Sequence, residues 1–207
     1  MTGAAGLPAR LVLATANPGK LAELARILAD DHADVTLVSR AEFAGAPEVA
    51  ETGATFGANA LLKARAIAEF TRLPAVADDS GLCVDALNGM PGVLSARWSG
   101  RHGDDEANLQ LVLAQLADVP DDRRGARFVC AAALVVPGGA EHVVEGVVTG
   151  RLIRGPRGQH GFGYDPIFMP DGYDTTTAEM EPADKDKISH RGRALRQLAP
   201  VIRRSLD

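Results

Sequence analysis

The 207-residue sequence has little cysteine and no long apolar run. Its two cysteines, Cys83 and Cys130, lie in separate apolar segments, which argues against a disulfide framework or a cysteine-based metal site and predicts buried thiols. No stretch approaches the roughly eighteen apolar residues of a membrane helix, and the start of the chain lacks the basic and apolar regions of a signal peptide. We therefore expect a cytoplasmic protein without a membrane partner.

The sequence also has no excess of positive charge, because 22 Lys and Arg against 27 Asp and Glu give a net charge of −5. Such a chain has no broad positive field for DNA or RNA, so we expect no nucleic-acid partner. Any polyanionic ligand should instead meet a local cluster of cations. The composition, 46% hydrophobic and 24% charged, is that of a globular protein. We predict a flexible N-terminus over residues 1–9 and a single domain over residues 10–207.

The spacing of apolar residues predicts an α/β protein with a mixed sheet. Strands and helices alternate at first and a β-hairpin follows, which favours a mixed over an all-parallel sheet. The predicted strands are 10–15, 34–38, 74–85, 128–136 and 142–153, the third interrupted by the polar stretch Asp78-Asp79-Ser80-Gly81. The predicted helices are one that follows the turn at 16–19, and then 55–71, 104–119 and 182–205.

The turn between the first strand and the first helix is a candidate phosphate site. A helix N-terminus offers unpaired amides and the positive end of the helix dipole, so a glycine-containing loop followed by lysine suits an anion. The turn lacks the glycine and hydroxyl residues of a Walker A loop, which argues against a kinase or ATPase. The alternative is a plain turn with a solvated lysine. The residues of this loop are Thr15, Ala16, Asn17, Pro18, Gly19 and Lys20.

The stretch Asp78-Asp79-Ser80-Gly81, together with Glu51, is a candidate metal site. Adjacent residues of a regular strand point to opposite faces, so only one of the two aspartates can readily face a given site. That carboxylate and Glu51 would suit Mg²⁺, which takes one or two carboxylates and completes its octahedron with water and substrate phosphates. The alternative is a capped turn in which Asp and Ser side chains bind backbone amides.

A glycine- and aromatic-containing loop follows the hairpin and is a candidate base-binding segment. It consists of Gly161, Phe162, Gly163, Tyr164, Asp165 and Pro166. Glycines let a backbone approach a ligand, and an aromatic ring can stack on a nucleobase. Proline at position 166 breaks the dinucleotide fingerprint. The alternative is that the aromatic residues fix the loop onto the core.

Basic residues of the last predicted helix form the fourth candidate. Lys185 and Ser189 are one turn apart, but His190 and Arg191 fan out to other sides of an ideal helix. They cannot all reach one phosphate from such a helix and would contact different parts of a ligand. The alternative is an ordinary basic, solvated helix.

Together these motifs resemble the Ham1-like (inosine triphosphate pyrophosphatase) family. The resemblance lies in six segments that occur in the family's order, and the Asp-Asp-Ser-Gly and Ser-His-Arg stretches are the most specific of them. Ala16 departs from the Gly or Asn that bacterial relatives often carry, but a backbone contact there would survive the change. The segments are 14–20, 51–59 with Lys63, 77–87, 91–100, 161–168 and 188–195.

This resemblance implies hydrolysis of ITP, dITP and XTP to the monophosphate and pyrophosphate, which removes deaminated purines from the nucleotide pool. It also implies Mg²⁺ dependence and a homodimer. The implied fold is a long curved mixed β-sheet flanked by helices, with two lobes around a central nucleotide cleft. A pyrophosphatase for modified pyrimidine nucleotides and a non-catalytic nucleotide-binding module are the alternatives. The first lacks support because no Ser-x-Ser-Pro-Arg-Arg stretch follows the first strand.

The resemblance also assigns residue roles. Glu51 and Asp79 would bind the metal, and Asp79 would be the general base. The substrate-binding residues that it implies are Thr15, Ala16, Asn17, Pro18, Gly19, Lys20, Lys63, Ser80, Phe162, Gly163, Tyr164, Asp165, Lys185, His190 and Arg191.

Overall fold

A computed structural model describes residues 9–206. The strands are β1 Ala9–Leu13, β2 Val35–Ser39, β3 Ala75–Val84, β4 Gly125–Val135, β5 Glu141–Leu152 and β6 Phe168–Pro170. The helices are α1 Pro18–Asp30, α2 Phe56–Thr71, α3 Asp105–Gln115, α4 Pro182–Ile188 and α5 His190–Leu206. The predicted flexible terminus lies outside the described residues except for Ala9, which begins β1.

The six strands form one mixed sheet in the order β2-β1-β3-β4-β5-β6. β1 pairs in parallel with β2 and β3, whereas β3, β4, β5 and β6 pair antiparallel in sequence. The predicted α/β class, the mixed sheet and the hairpin are therefore confirmed. Both cysteines are buried and free, as expected.

Helices cover both faces of this sheet. On one face α1 and α5 pack with residues such as Leu24 and Leu198 against alternate residues of the central strands. On the other face α2 packs through Ala60, Ala64 and Ile67. Helix α2 begins at its N-cap, Thr55, where the sequence places its start.

The long strands extend beyond these helices into a third apolar cluster. Here the ends of β3 and β5 pack with α3, for example through Leu82, Val112 and Leu152. This cluster forms the second lobe that the resemblance implies. Helix α3 ends at Gln115, four residues before the predicted end. No helix among residues 9–206 is long and apolar enough to cross a membrane.

The predicted interruption of the third strand is wrong. β3 runs through Asp78-Asp79-Ser80-Gly81 as one ten-residue strand, because each of these residues pairs with β4. Long-range pairing thus overrides the turn preference of the local sequence. Gly81 is required for packing, since a Cβ there would lie 2.6 Å from the Gly92 carbonyl oxygen and against the Ser95 hydroxyl.

The single last helix that the sequence predicts is also wrong. α4 and α5 are separated at Ser189, whose ψ of 141° is extended. Its hydroxyl accepts a hydrogen bond from the Gly192 amide at 2.9 Å, as an N-cap does. Because of this break, His190 and Arg191 belong to a different helix from Lys185, and the angular spacing of a single helix does not determine their directions.

Candidate active site

Asp78 and Asp79 lie in the middle of the sheet and face opposite sides of it. Asp78 faces α1 and α5, where it binds Lys20 and Arg191, whereas Asp79 faces α2, where it binds Asn59 and Lys63. The alternation expected of adjacent strand residues is thus observed, and each face carries its own polar cluster. Ser80, the next residue, is exposed.

The loop before α1 is organised by its own side chains. The Asn17 side chain caps α1 by accepting hydrogen bonds from the amides of Gly19 (2.9 Å) and Lys20 (3.4 Å). The Thr15 hydroxyl accepts from the Asn17 amide. Three amides that could hold an anion, those of Asn17, Gly19 and Lys20, are therefore already paired. What remains for phosphate is the helix dipole and the Lys20 side chain.

On the α1 and α5 side, Asp78 lies between two cations. Its Oδ2 accepts from Lys20 Nζ at 2.8 Å and its Oδ1 from Arg191 Nη2 at 3.3 Å. Burial works to raise the pKa of Asp78, but these two cations lower it overall. Glu23 of α1 lies 3.5 Å from Arg191 Nη1, and burial raises the pKa of this glutamate.

On the α2 side, Lys63 joins the two predicted metal ligands. Its Nζ lies 2.7 Å from Glu51 Oε1 and 3.2 Å from Asp79 Oδ1. Asn59, one turn earlier on α2, donates to Asp79 Oδ2 at 3.0 Å. Arg97 holds Glu51 at both its carboxylate (3.4 Å) and its backbone carbonyl (3.2 Å).

The two carboxylates of this cluster differ in their protonation behaviour. Burial raises the pKa of Asp79, although Lys63 and Asn59 oppose the change. Burial also works to raise the pKa of Glu51, but hydrogen bonds from Lys63 and Arg97 lower this pKa overall. A carboxylate with a raised pKa is the better proton acceptor, which favours Asp79 over Glu51 as a general base.

The donor set of this cluster fits a Mg²⁺ ion that is shared with a substrate. Among residues 9–206 no group of three or more His, Cys, Asp or Glu side chains is placed to hold a metal. Glu51 and Asp79 supply two hard oxygen ligands linked by one lysine, which matches the one or two carboxylates that Mg²⁺ takes beside phosphates.

A cavity of about 530 Å³ opens beside these residues. Its walls include Thr15 and Ala16 of the loop before α1, and also Glu51, Lys63 and Arg97. The loop that precedes α1 and the α2 cluster thus border one space. The aromatic loop lies outside this cavity, so it would contact a different part of a ligand.

The aromatic loop is held to α4 by Asp165. The Asp165 Oδ2 accepts from the Phe162 amide at 2.9 Å and from Lys185 Nζ, and Oδ1 accepts from the Thr177 hydroxyl. The ring of Phe162 is 78% exposed and lies 5.5 Å from Lys185 Nζ. An exposed ring beside a lysine is available to a planar ligand. Gly163, with a φ of 59°, donates through its amide to Asp105.

Tyr164 and His190 are packed into the protein. The Tyr164 hydroxyl donates to the Ser95 carbonyl at 2.8 Å, and burial raises its pKa. This side chain fixes the loop to the second lobe, as the alternative interpretation has it. His190 stacks on Phe128 with ring centroids 5.0 Å apart, and burial lowers its pKa to about 4. It is therefore neutral at pH 7.

The structure thus brings the predicted residues into three groups, one around Asp78, one around Asp79 and one around Asp165. Sequence reasoning missed Arg97 and Glu23 as members of these groups, and it placed Asn59 on the face of Lys63 without giving it a role. Arg97 lies 46 residues from Glu51, and nothing in a local pattern reveals that contact.

Comparison with family models shows which family the chain resembles. The Ham1 family model matches residues 11–201 of this chain. A dITP/XTP pyrophosphatase of Streptomyces coelicolor is 59% identical over 197 residues, which cover 95% of this chain and 98% of that protein. A dITP/XTP pyrophosphatase of Nocardia farcinica is 63% identical over 195 residues, which cover 94% and 95%.

Solved structures show the same fold. The crystal structure of a nucleoside-triphosphatase / dITP/XTP pyrophosphatase from Mycobacterium abscessus has a TM-score of 0.81 at 59% identity, covering 94% of this chain and all of that one. The structure of a HAM1 protein from Coxiella burnetii has a TM-score of 0.87 at 44% identity, with 94% and 98% covered.

Proposed function

The chain belongs to the Ham1 family, and we propose that it hydrolyses non-standard purine nucleoside triphosphates, namely ITP, dITP and XTP, to the monophosphate and pyrophosphate. The observation that carries this proposal is the cluster around Asp79. There Lys63 binds Asp79, a buried carboxylate with a raised pKa, and also Glu51. Lys63 and Glu51 border a cavity that the loop before α1 also borders.

The substrate would extend from the cavity to the aromatic loop. Lys63 lines the cavity and Lys20 follows the loop that borders it, so the phosphates would lie there. Phe162 and Lys185 lie outside the cavity, where the ring can stack on the base. Thr15, Ala16, Asn17, Pro18, Gly19, Ser80, Gly163, Tyr164, Asp165, His190 and Arg191 complete the proposed contact set. Tyr164 would contribute through the backbone it fixes, since its hydroxyl is bound to Ser95.

Asp79 acts as the general base in this proposal. It takes the proton of a water that attacks the α-phosphorus, and the bond to the β-phosphate breaks to release pyrophosphate. Asn59 and Lys63 each bind one oxygen of Asp79 and so fix the plane of its carboxylate. Lys20 and Lys63 stabilise the negative charge that moves onto the leaving group.

Glu51 and Asp79 would hold the Mg²⁺ ion on which the proposed reaction depends. When bound, this ion would compensate the charge of the phosphates next to the two carboxylates. Arg97, which holds Glu51 at two points, would keep that ligand in place.

A homodimer and a cytoplasmic location belong to the same proposal. The resemblance implies the dimer, and the nucleotide pool on which such an enzyme acts is cytoplasmic. Light scattering of the purified protein would test the first and fractionation of the cell the second.

The test is the rate of pyrophosphate release from ITP, dITP and XTP beside ATP, GTP and dTTP, with Mg²⁺ present. We expect turnover of the three non-standard purines alone. Asp79→Asn should lower kcat by roughly 10² or more, the size of a general-base contribution, while the exposed Asp118→Asn leaves it unchanged. Equal rates on all six nucleotides would show that the protein is a pyrophosphatase with a different specificity. Nucleotide binding without pyrophosphate release would show that it is a non-catalytic binding module.

A further inference from the structure

Asp78 is a buried carboxylate that the proposed chemistry at Asp79 does not use. Its side chain is only 4% exposed, and its two oxygens accept from Lys20 Nζ and Arg191 Nη2. Both of these cations belong to the proposed substrate contacts. A single carboxylate thus touches two groups that would themselves touch the nucleotide.

The two cations reach Asp78 from the first turns of two different helices. Lys20 is in the first turn of α1, next to the loop that borders the cavity. Arg191 is the second residue of α5, directly after the break at Ser189. Asp78 lies between the two helix starts, at the centre of the sheet. It therefore links one cation to the other.

Stability alone is a weak reason for such an arrangement. A buried ion pair often contributes no more to folding than apolar side chains of similar size, because desolvation offsets the Coulomb attraction. The cluster lies on the face that is otherwise filled by apolar residues of α1, α5 and the sheet. Apolar residues would have served packing there equally well, so the charges of Lys20, Asp78 and Arg191 call for a further role.

We propose that Asp78 is a positioning residue, which holds Lys20 and Arg191 at a fixed separation so that both can contact one nucleotide together. Glu23, 3.5 Å from Arg191 Nη1, supports the same guanidinium from α1. This proposal rests on the proposed function, because that function assigns both cations to the substrate.

Asp78→Asn separates positioning from a simple change of charge. Removing a negative charge beside the site would by itself strengthen the binding of an anionic substrate. Loss of positioning predicts the opposite sign. We expect kcat/KM for ITP to fall at least about tenfold, mainly through KM, which is the size of a lost hydrogen bond to a charged group.

The matched control is Asp85→Asn. Asp85 directly follows β3 and pairs with Arg127 at 2.9 Å, but this pair is exposed and lies outside the three groups of the site. The control removes the same charge from another Arg–Asp pair. It should leave kcat/KM within about twofold of the original.

A double-mutant cycle tests the link itself. Lys20→Met and Arg191→Met are made singly and together, first with Asp78 present and then in Asp78→Asn. With Asp78 present, we expect the combined loss in kcat/KM to differ from the product of the single losses by at least about threefold. In Asp78→Asn the losses should multiply to within about twofold, an outcome that a purely structural role of Asp78 does not predict.

The results that would overturn the proposal are distinct from those that would overturn the function. If the original protein hydrolyses ITP and Asp78→Asn has an unchanged or lower KM, or the coupling persists without Asp78, the positioning role is wrong. If the original protein neither hydrolyses ITP nor binds it in calorimetry, both proposals fall. Should Asp78→Asn not fold, Asp78→Glu keeps the charge but displaces the oxygens, and an undiminished kcat/KM in that variant would equally overturn the role.

Discussion

Phe162→Ala should impair nucleotide binding and leave the fold intact. The ring is 78% exposed, so only about a fifth of its surface is buried by the protein. A phenylalanine side chain buries roughly 200 Å² when fully enclosed, which leaves about 40 Å² here, or about 1 kcal/mol at most. Stacking of a base on such a ring contributes about 1 to 3 kcal/mol.

The free energy of stacking predicts how KM, kcat and product inhibition change in Phe162→Ala. We expect the KM for ITP to rise about 5- to 150-fold in Phe162→Ala with a much smaller change in kcat. Inorganic pyrophosphate has no base, so its inhibition constant should stay within about twofold. Phe162→Trp keeps a ring and should recover most of the lost affinity. Phe70→Ala removes a different phenylalanine, which is half-exposed and lies on α2, and should change neither the KM nor the inhibition constant.

Two results would refute this reasoning. An unchanged KM for ITP in Phe162→Ala would remove the ring from base binding. An equal weakening of pyrophosphate inhibition would show that the variant disturbs the phosphate side, through Lys185 or the loop, and that stacking is not what was lost.

Tyr164→Phe should lower the free energy of unfolding in urea by about 1 to 2 kcal/mol, since it leaves the Ser95 carbonyl without its donor, while kcat/KM for ITP stays within about twofold. A large rise in KM at unchanged stability would instead place the hydroxyl at the nucleotide. The pKa of His190 is held at about 4 by burial, so between pH 6.5 and 4 the unfolded chain binds a proton that the folded one does not. The free energy of unfolding should therefore decrease as the pH is lowered from 6.5 to 4, by up to about 1.4 kcal/mol per pH unit from this residue. His190→Gln should remove that part of the slope. Identical slopes in the two proteins would show that folding does not lower the pKa of His190.

The sequence motifs predicted which residue types form the site but not which of them touch. Asp78 and Lys20 are 58 residues apart, and Asp78 and Arg191 are 113 apart, so no local period reports either contact. The alternation of side chains along a strand did predict that Asp78 and Asp79 face opposite sides. What lies on each side depends on how α1, α2 and α5 pack, which only the folded chain reveals.

The two wrong elements have different causes. The polar stretch 78–81 carries turn-forming residues, yet pairing with β4 and the close packing of Gly81 against Gly92 keep it in the strand. The break at Ser189 had a visible signal, because serine before an amphipathic run is a common N-cap. The continuous helical spacing across residues 182–205 concealed it.

The charges of the site bear on how an acidic protein could hold a polyanion. The expected local cluster of cations exists, but every member is matched. On one face Lys20 and Arg191 meet Asp78 and Glu23, and on the other Lys63 and Arg97 meet Asp79 and Glu51. With all four carboxylates ionised, each group sums to zero.

A triphosphate therefore gains little from the static field of these two groups. Its binding must exchange partners at Lys63, where phosphate oxygens replace the oxygens of Glu51 and Asp79, and the carboxylates released there must find another cation. Mg²⁺ at Glu51 and Asp79 would meet that need with the hard oxygen ligands it prefers. On this argument nucleotide affinity should depend steeply on Mg²⁺ in the original protein and less so in Glu51→Gln, where one fewer carboxylate needs a new partner. Calorimetric titration of ITP at several Mg²⁺ concentrations would measure both slopes, and equal slopes would contradict the exchange.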